Sequence, residues 1–96
     1  MRRASRVDAN HSEIIAALRR LGCSVASLHE CAHGIPDLVC AVNHHTFLVE
    51  VKHGAKSPSQ RKLTPDQEVF HANWNAHIWI VEFPEDCKLV VNFYKD

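Results

Sequence analysis

Two almost continuous apolar runs, "PDLVCAV" and "TFLVEVK", lie on either side of a short polar segment at residues 43–45. Apolar runs of this length that end in turn residues are typical of strands. Their near-continuity is expected of strands that are covered on both faces. We therefore predict a β-hairpin formed by residues 37–42 and 46–52. Its strands nevertheless carry three charged residues, Asp37, Glu50 and Lys52.

The register of this hairpin decides whether the three charges meet. Side chains alternate between the faces of a strand, so Glu50 and Lys52 share a face. A two-residue turn at 43–44 places Asp37 opposite Glu50, and a turn one residue later places it opposite Lys52. In both cases all three lie on one face, with directly opposed Cβ atoms about 4.5–5.5 Å apart. A symmetric three-residue turn instead opposes Asp37 to Val51 and separates the charges unless a bulge intervenes.

Two carboxylates this close repel each other, and one takes up a proton unless a cation compensates the charge. Carboxylate oxygens are hard ligands that suit Mg²⁺ or Mn²⁺, ions that also accept phosphate oxygens. Such a metal can activate a water, and Lys52 beside it can orient that water or neutralise a phosphate. The cluster therefore indicates phosphodiester hydrolysis. The alternative is a plain ion pair on an exposed sheet face, which contributes little stability.

The remaining sequence predicts helices and strands around this hairpin. Apolar residues at helical spacing before Gly22 predict a first helix over about residues 9–21, capped by Asp8 or Asn10. Residues 23–29 and 77–83 predict two further strands. Thr64 and Pro65 start a second helix over about residues 65–75. Its predicted core positions are Val69, Ala72 and Trp74, and the ambiguous tail is interpreted as a helix.

The element order is αβββαβ plus a C-terminal helical element, which predicts an α/β (α+β) fold with a small mixed sheet. The chain has 96 residues, enough for a single domain over residues 8–96 behind a flexible basic arm over residues 1–7. A domain of this size is only marginally buried, so dimerisation would help it. The four widely spaced cysteines include no CxxC motif and are interpreted as reduced, mostly buried core residues.

Charge and hydropathy exclude some classes of protein. The formal net charge is +0, which argues against a polycation that coats nucleic acid but leaves room for a local basic patch. No stretch approaches the roughly 20 apolar residues that span a membrane. The charged start is followed by no apolar segment, so it is not a secretory signal, and we expect a cytoplasmic protein.

The motifs resemble those of the PD-(D/E)XK nuclease superfamily. "GIPDLV", a hairpin's length, and then "FLVEVKHG" match its (G)xPD…ExK signature, and "LTPDQEVFHANW" is similar to its LTxxQ helix. The likeness spans roughly residues 8–83 and is strongest to small phage-type members related to VRR-Nuc domains and Holliday-junction resolvases. It implies a restriction-endonuclease-like αβββαβ core and, if the chain is phage-encoded, a bacterial host.

The resemblance also implies a role for individual residues. The implied metal ligands are Asp37, Glu50, the backbone carbonyl of Val51 and, directly or through a water, Glu13. The implied catalytic residues are Asp37, Glu50, Lys52 as the catalytic lysine, and Gln67, which would orient that lysine or contact a phosphate. Relatives cut DNA with Mg²⁺, for which Mn²⁺ can substitute, and need no small-molecule cofactor. His53 stands where phage relatives often carry an acid, which bears on metal preference or substrate contact.

Basic residues close to this motif are candidate DNA contacts. Residues 52–62 carry no acid, and a basic loop beside a metal site can hold a DNA backbone. The candidates are Lys56, Arg61 and Lys62 in this loop and Arg2, Arg3 and Arg6 in the arm. The alternative is a solvated surface loop. The histidines match no common zinc pattern, and His71 and His77 are interpreted as helix-surface and strand-edge groups.

These observations lead to the hypothesis of a Mg²⁺-dependent DNA endonuclease of the PD-(D/E)XK type. One alternative is a resolvase that acts as a homodimer on junctions or flaps. Another is a catalytically silent nucleic-acid-binding module of the same fold, against which the intact set Asp37, Glu50 and Lys52 counts. A third is cleavage of RNA, because related folds process RNA.

Overall fold

The computed structural model describes residues 4–28, 31 and 33–95, with side chains from Asn10 onward. Its elements are α1 (Ala4–Arg20), β1 (Ser24–Ser27), β2 (Leu38–Val42), β3 (His45–Val51), α2 (Pro58–Arg61), α3 (Pro65–Asn73), β4 (Ile78–Val81) and α4 (Asp86–Phe93). The sheet order is β1-β2-β3-β4, antiparallel from β1 to β3 and parallel between β3 and β4. The predicted mixed-sheet fold and helical tail are confirmed.

The hydrophobic core lies between one face of this sheet and the helices α1 and α4. Leu38 on β2 pairs with Val49 on β3, and both side chains are completely buried. Ile14 and Leu18 from α1 reach the same cluster. Burying each such side chain contributes about 1.5–3 kcal/mol to stability. The apolar residues of this face therefore fix the position of the sheet against the two helices, and Glu50 lies on the opposite face of β3.

Three of the four cysteines belong to this core, and all four are free thiols. Cys23, Cys40 and Cys87 are buried, whereas Cys31 is exposed. Burial raises the pKa of Cys40 to about 12 and that of Cys87 to about 11, with neighbouring charges adding to each rise. The prediction that most of the cysteines are small core residues is confirmed.

Helix α1 begins at Ala4, five residues earlier than predicted. No glycine or proline interrupts the chain from Ala4 to Arg20, so nothing stops the helix from extending toward the N-terminus. Part of the predicted flexible arm, residues 4–7, is therefore helical. Arg2 and Arg3 lie outside the described residues, as does the side chain of Arg6. The predicted cap at Asp8 or Asn10 is wrong, because both residues lie inside the helix.

Helix α3 contributes nothing to the core, contrary to the prediction. Val69 is 60% exposed and Trp74 45% exposed, and Ala72 is exposed too. The side of α3 that faces the sheet carries polar residues instead, which are described below. The predicted polar loop before it contains the one-turn helix α2, with Pro58 in its first turn. No helix in the described ranges is long and apolar enough to cross a membrane.

The hairpin turn adopts the first of the registers that the sequence left open. Its two residues, Asn43 and His44, have φ values of 50° and 67°, as the tight turns that join two strands require. The ladder from Val42 opposite His45 to Leu38 opposite Val49 contains no bulge. The next pair in this register is Asp37 and Glu50. The backbone thus brings the two acids together at the open end of the hairpin.

Gly34 lies three residues before Asp37, in the loop that leads to this acid. At this position the loop packs closely against helix α3. Its φ is 81°, a conformation that favours glycine. A Cβ atom at this position would collide with the backbone of Asp66 and Gln67. Glycine is therefore required twice here, by the backbone conformation and by the close approach of α3.

Replacing Gly34 by alanine should displace α3 from the sheet. Backbone strain alone costs about 1–3 kcal/mol, and we expect the free energy of unfolding to fall by more than this. Gly22 provides the matched control, because its φ is 98° but nothing lies within 4 Å of a Cβ atom there. Urea denaturation of both variants measures the difference. Equal destabilisation by Gly34→Ala and Gly22→Ala would contradict the close packing of α3 on Gly34.

Candidate active site

Asp37 is held in place by the backbone of the neighbouring strand. Its Oδ2 accepts a hydrogen bond of 2.8 Å from the Val51 amide. Its own carbonyl oxygen accepts one of 2.7 Å from the Leu28 amide, which ties Asp37 to the chain beyond β1. The carboxylate is therefore fixed next to the end of β3, where Glu50 and Lys52 lie.

Glu50 is the only charged side chain among the described residues that is buried, with 1% of the residue exposed. Its Oε2 accepts a hydrogen bond of 2.9 Å from the Gln67 side-chain amide and lies 4.0 Å from Lys52 Nζ. Its Oε1 is buried and accepts no hydrogen bond. A buried carboxylate oxygen without a partner is costly, and such atoms frequently mark a missing ion or water.

The surroundings of Glu50 disfavour its negative charge. Burial raises the pKa of Glu50 to about 8, and the adjacent Asp37 carboxylate contributes to the rise by repulsion and by accepting a hydrogen bond from the protonated form. Lys52 opposes the rise without cancelling it. The site thus disfavours the ionisation of both carboxylates at once.

Gln67 connects the three charged residues to helix α3. Its Oε1 accepts hydrogen bonds from Lys52 Nζ at 2.8 Å and from the Thr64 amide at 2.9 Å. Both partners are donors only, so they fix the amide with its nitrogen toward Glu50. In return, Thr64 Oγ1 accepts a hydrogen bond from the backbone amide of Gln67, which completes a capping box. The motif that starts the helix therefore also aims Gln67 into the site.

The sequence interpretation missed two residues of this cluster. His71 was assigned to the helix surface, but its side chain is 15% exposed and its Nε2 lies 3.9 Å from Glu50 Oε1. Burial lowers the pKa of His71, and the Lys52 charge lowers it further. The signal was its position four residues after Gln67, on the same helix face. The sequence predicts Asn10 as a possible helix N-cap, but its side-chain amide instead donates a hydrogen bond of 3.1 Å to the Lys52 carbonyl.

The other predicted residues in the described ranges do not take part in this hydrogen-bond network. Glu13 is exposed on α1, and no three or more His, Cys, Asp or Glu side chains in the described ranges are grouped to hold a metal. Lys56 and Lys62 are exposed and accessible to a ligand. Arg61 is instead paired with Glu82 at 3.2 Å, which anchors α2 to the end of β4.

The residues present fit a Mg²⁺ or Mn²⁺ ion. Asp37 and Glu50 offer two adjacent carboxylates, and one oxygen of Glu50 lacks a partner. Mg²⁺ is commonly bound by one or two carboxylates, with waters and substrate phosphates as the other ligands. A divalent cation would also stabilise the ionised form of Glu50, which burial and the Asp37 carboxylate disfavour.

No family model and no curated protein sequence matches the chain. Among solved structures, the chain is similar to one described as a "VRR_NUC domain", with a TM-score of 0.63 and 20% sequence identity. The match covers 91% of this chain and 95% of that one. At this identity the likeness concerns the fold, and it agrees with the resemblance of the sequence motifs. The chain therefore has the fold of a VRR_NUC domain.

Proposed function

We propose that this protein is a Mg²⁺-dependent DNA endonuclease, with Asp37 and Glu50 as the metal ligands. The observation that carries the proposal is the environment of Glu50. A buried carboxylate beside a second carboxylate, with one oxygen unpartnered, is unfavourable for folding alone. Binding a cation relieves this cost, which a purely structural role leaves unexplained. The VRR-Nuc fold supports the same conclusion.

Mg²⁺ would supply an activated water and positive charge at the phosphate. The Val51 carbonyl would be a further ligand, because the carbonyl and the amide of one strand residue point to the same side and the Val51 amide points to Asp37. In the net reaction one water would add across the phosphodiester bond: its oxygen would bond to phosphorus, the bond from phosphorus to the leaving oxygen would break, and the proton given up by the water would end on that leaving oxygen.

Lys52 acts on the water or the phosphate. Its ammonium group has three donors, and Gln67 Oε1 accepts one of them at 2.8 Å. The other two donors are available for the attacking water and for a phosphate oxygen. Gln67 keeps the ammonium 4.0 Å from Glu50 rather than in tight contact with it. This arrangement holds the positive charge where negative charge develops in the transition state.

A cleavage assay tests this function. Purified protein is incubated with supercoiled plasmid, a four-way junction, a flap and single-stranded RNA, each with Mg²⁺, Mn²⁺ or EDTA. We expect DNA to be cut with either metal and not in EDTA. Cleavage confined to junctions would identify a resolvase, for which a dimer is expected. Absence of cleavage in every condition, or equal cleavage in EDTA, would refute the proposal.

A further inference from the structure

A surface cavity of about 370 Å³ lies beside helix α3. This is in the size range of small-molecule sites. Gln67 and His71 project from α3 toward Glu50, whereas the cavity is lined by His33, Asp66, Val69, Phe70, Asn73 and Trp74. One short helix thus forms both a wall of the candidate active site and a wall of the cavity.

The aromatic residues of the cavity are not used by the core. The rings of Phe70 and Trp74 stack on each other with centroids 5.2 Å apart and an angle of 19° between planes. Trp74 remains 45% exposed, and Val69 beside it is 60% exposed. Exposed aromatic rings of this kind offer a face on which a nucleobase can stack, whichever base it is.

The polar residues of the cavity favour a base over a phosphate. The Asp66 carboxylate repels a phosphate but accepts hydrogen bonds from base amino groups. The Asn73 amide can both donate and accept. Positive charge lies outside the cavity, on the exposed Lys56 and Lys62 that precede α3 in the chain. The lining of the cavity therefore suits a base better than a phosphate.

The position of the cavity relates it to the site of cleavage. Asp66 lines the cavity and its neighbour Gln67 binds Lys52. The cavity and Lys52 are therefore separated by the width of a helix, a distance on the order of 10 Å. Since successive charges on one DNA strand are about 3.4 Å apart along the duplex axis, a base about three nucleotides from the cleaved phosphate can reach it.

We propose that this cavity binds an unpaired base of a DNA strand, so that the enzyme acts next to unpaired nucleotides. A base within a duplex is covered by its neighbours on both faces and cannot stack on Trp74. The inference rests on the proposed function, and it specifies the substrate as DNA with a single-stranded segment.

The test compares binding of a blunt duplex and of the same duplex with a single-stranded overhang. Fluorescence anisotropy in EDTA measures binding without cleavage. We expect Trp74→Leu to weaken binding of the overhang duplex by about 5- to 100-fold and to leave binding of the blunt duplex unchanged. Trp74→Phe should retain most of the affinity because it keeps a ring. Phe93→Leu is the matched control, since Phe93 is an aromatic 70% exposed on α4.

Abasic sites identify the bound base. Removing one base of the overhang should weaken binding by the wild type as much as Trp74→Leu does. The same abasic DNA should cause no additional loss of affinity in Trp74→Leu. The proposal is overturned if Trp74→Leu binds both DNAs like the wild type, or weakens both equally. Tighter, Trp74-dependent binding of an RNA overhang would overturn the assignment to DNA. Plasmid cleavage by the wild type tests the proposed function separately, so either proposal can fail alone.

Discussion

Replacing Lys52 by alanine should reduce the rate of DNA cleavage by about 10²–10³-fold, the usual effect of removing a group that stabilises transition-state charge. The side chain is only 12% exposed, and its ammonium is held by Gln67, so no solvent-exposed lysine can take its place. Single-turnover cleavage of plasmid with saturating Mg²⁺ measures the effect on chemistry rather than on binding.

Lys88 supplies the control for this prediction. It is an exposed lysine on α4, which packs against the core rather than the site, so Lys88→Ala removes the same charge without touching the cluster. We expect it to cleave like the wild type. Asp37→Asn should be impaired at least as strongly as Lys52→Ala, since it removes a proposed metal ligand. If Lys52→Ala and Asp37→Asn both keep wild-type rates, this cluster is not the catalytic site.

Replacing Glu50 by glutamine should stabilise the metal-free protein at alkaline pH. The folded protein holds a proton on Glu50 up to pH about 8, whereas the unfolded chain loses it near 4.5. The folded state therefore binds more protons in this interval, and the free energy of unfolding of the wild type falls as the pH rises through it. The loss amounts to several kcal/mol, at about 1.4 kcal/mol for each unit by which the pKa is raised, and glutamine, which does not ionise, avoids it.

Thermal unfolding in EDTA at pH 5 and pH 8.5 checks this result. Glu50→Gln should melt more than about 10 °C higher than the wild type at pH 8.5 and show little difference at pH 5. Glu13→Gln, at an exposed acid, should follow the wild type at both values. Added Mg²⁺ should stabilise the wild type at pH 8.5 and not Glu50→Gln. An identical pH dependence in Glu50→Gln and the wild type would contradict the unfavourable burial of Glu50.

The position of Asp37 and Glu50 could be predicted because it depends on local rules. Strand alternation places Glu50 and Lys52 on one face, and a two-residue turn sets the register of Asp37. From the sequence, the register of the hairpin depends on where one turn lies and how long it is. The sequence left this undecided, because asparagine and two successive histidines allow a two-residue turn at 43–44 or at 44–45. The choice depends on how the apolar residues of both strands pack, which no local pattern contains.

The contribution of helix α3 could not be predicted from its pattern. Val69 and Trp74 resemble core residues in sequence, yet α3 is held by Gly34, by its capping box and by the hydrogen bonds of Gln67. Polar tertiary contacts of this kind leave no hydrophobic periodicity. The contacts of His71 and Asn10 could not be predicted for the same reason, because their partners are distant in sequence. Helix spacing from Gln67 was the one available indication for His71.

The distribution of the cysteines makes the protein suited to labelling without mutagenesis. Only Cys31 is exposed, whereas the other three thiols are buried and two of them have strongly raised pKa values, so a maleimide reagent will react with one position. Cys31 lies six residues before Asp37 and two before His33. A single fluorophore or spin label there tests whether DNA binds near the loop that carries His33 and Asp37.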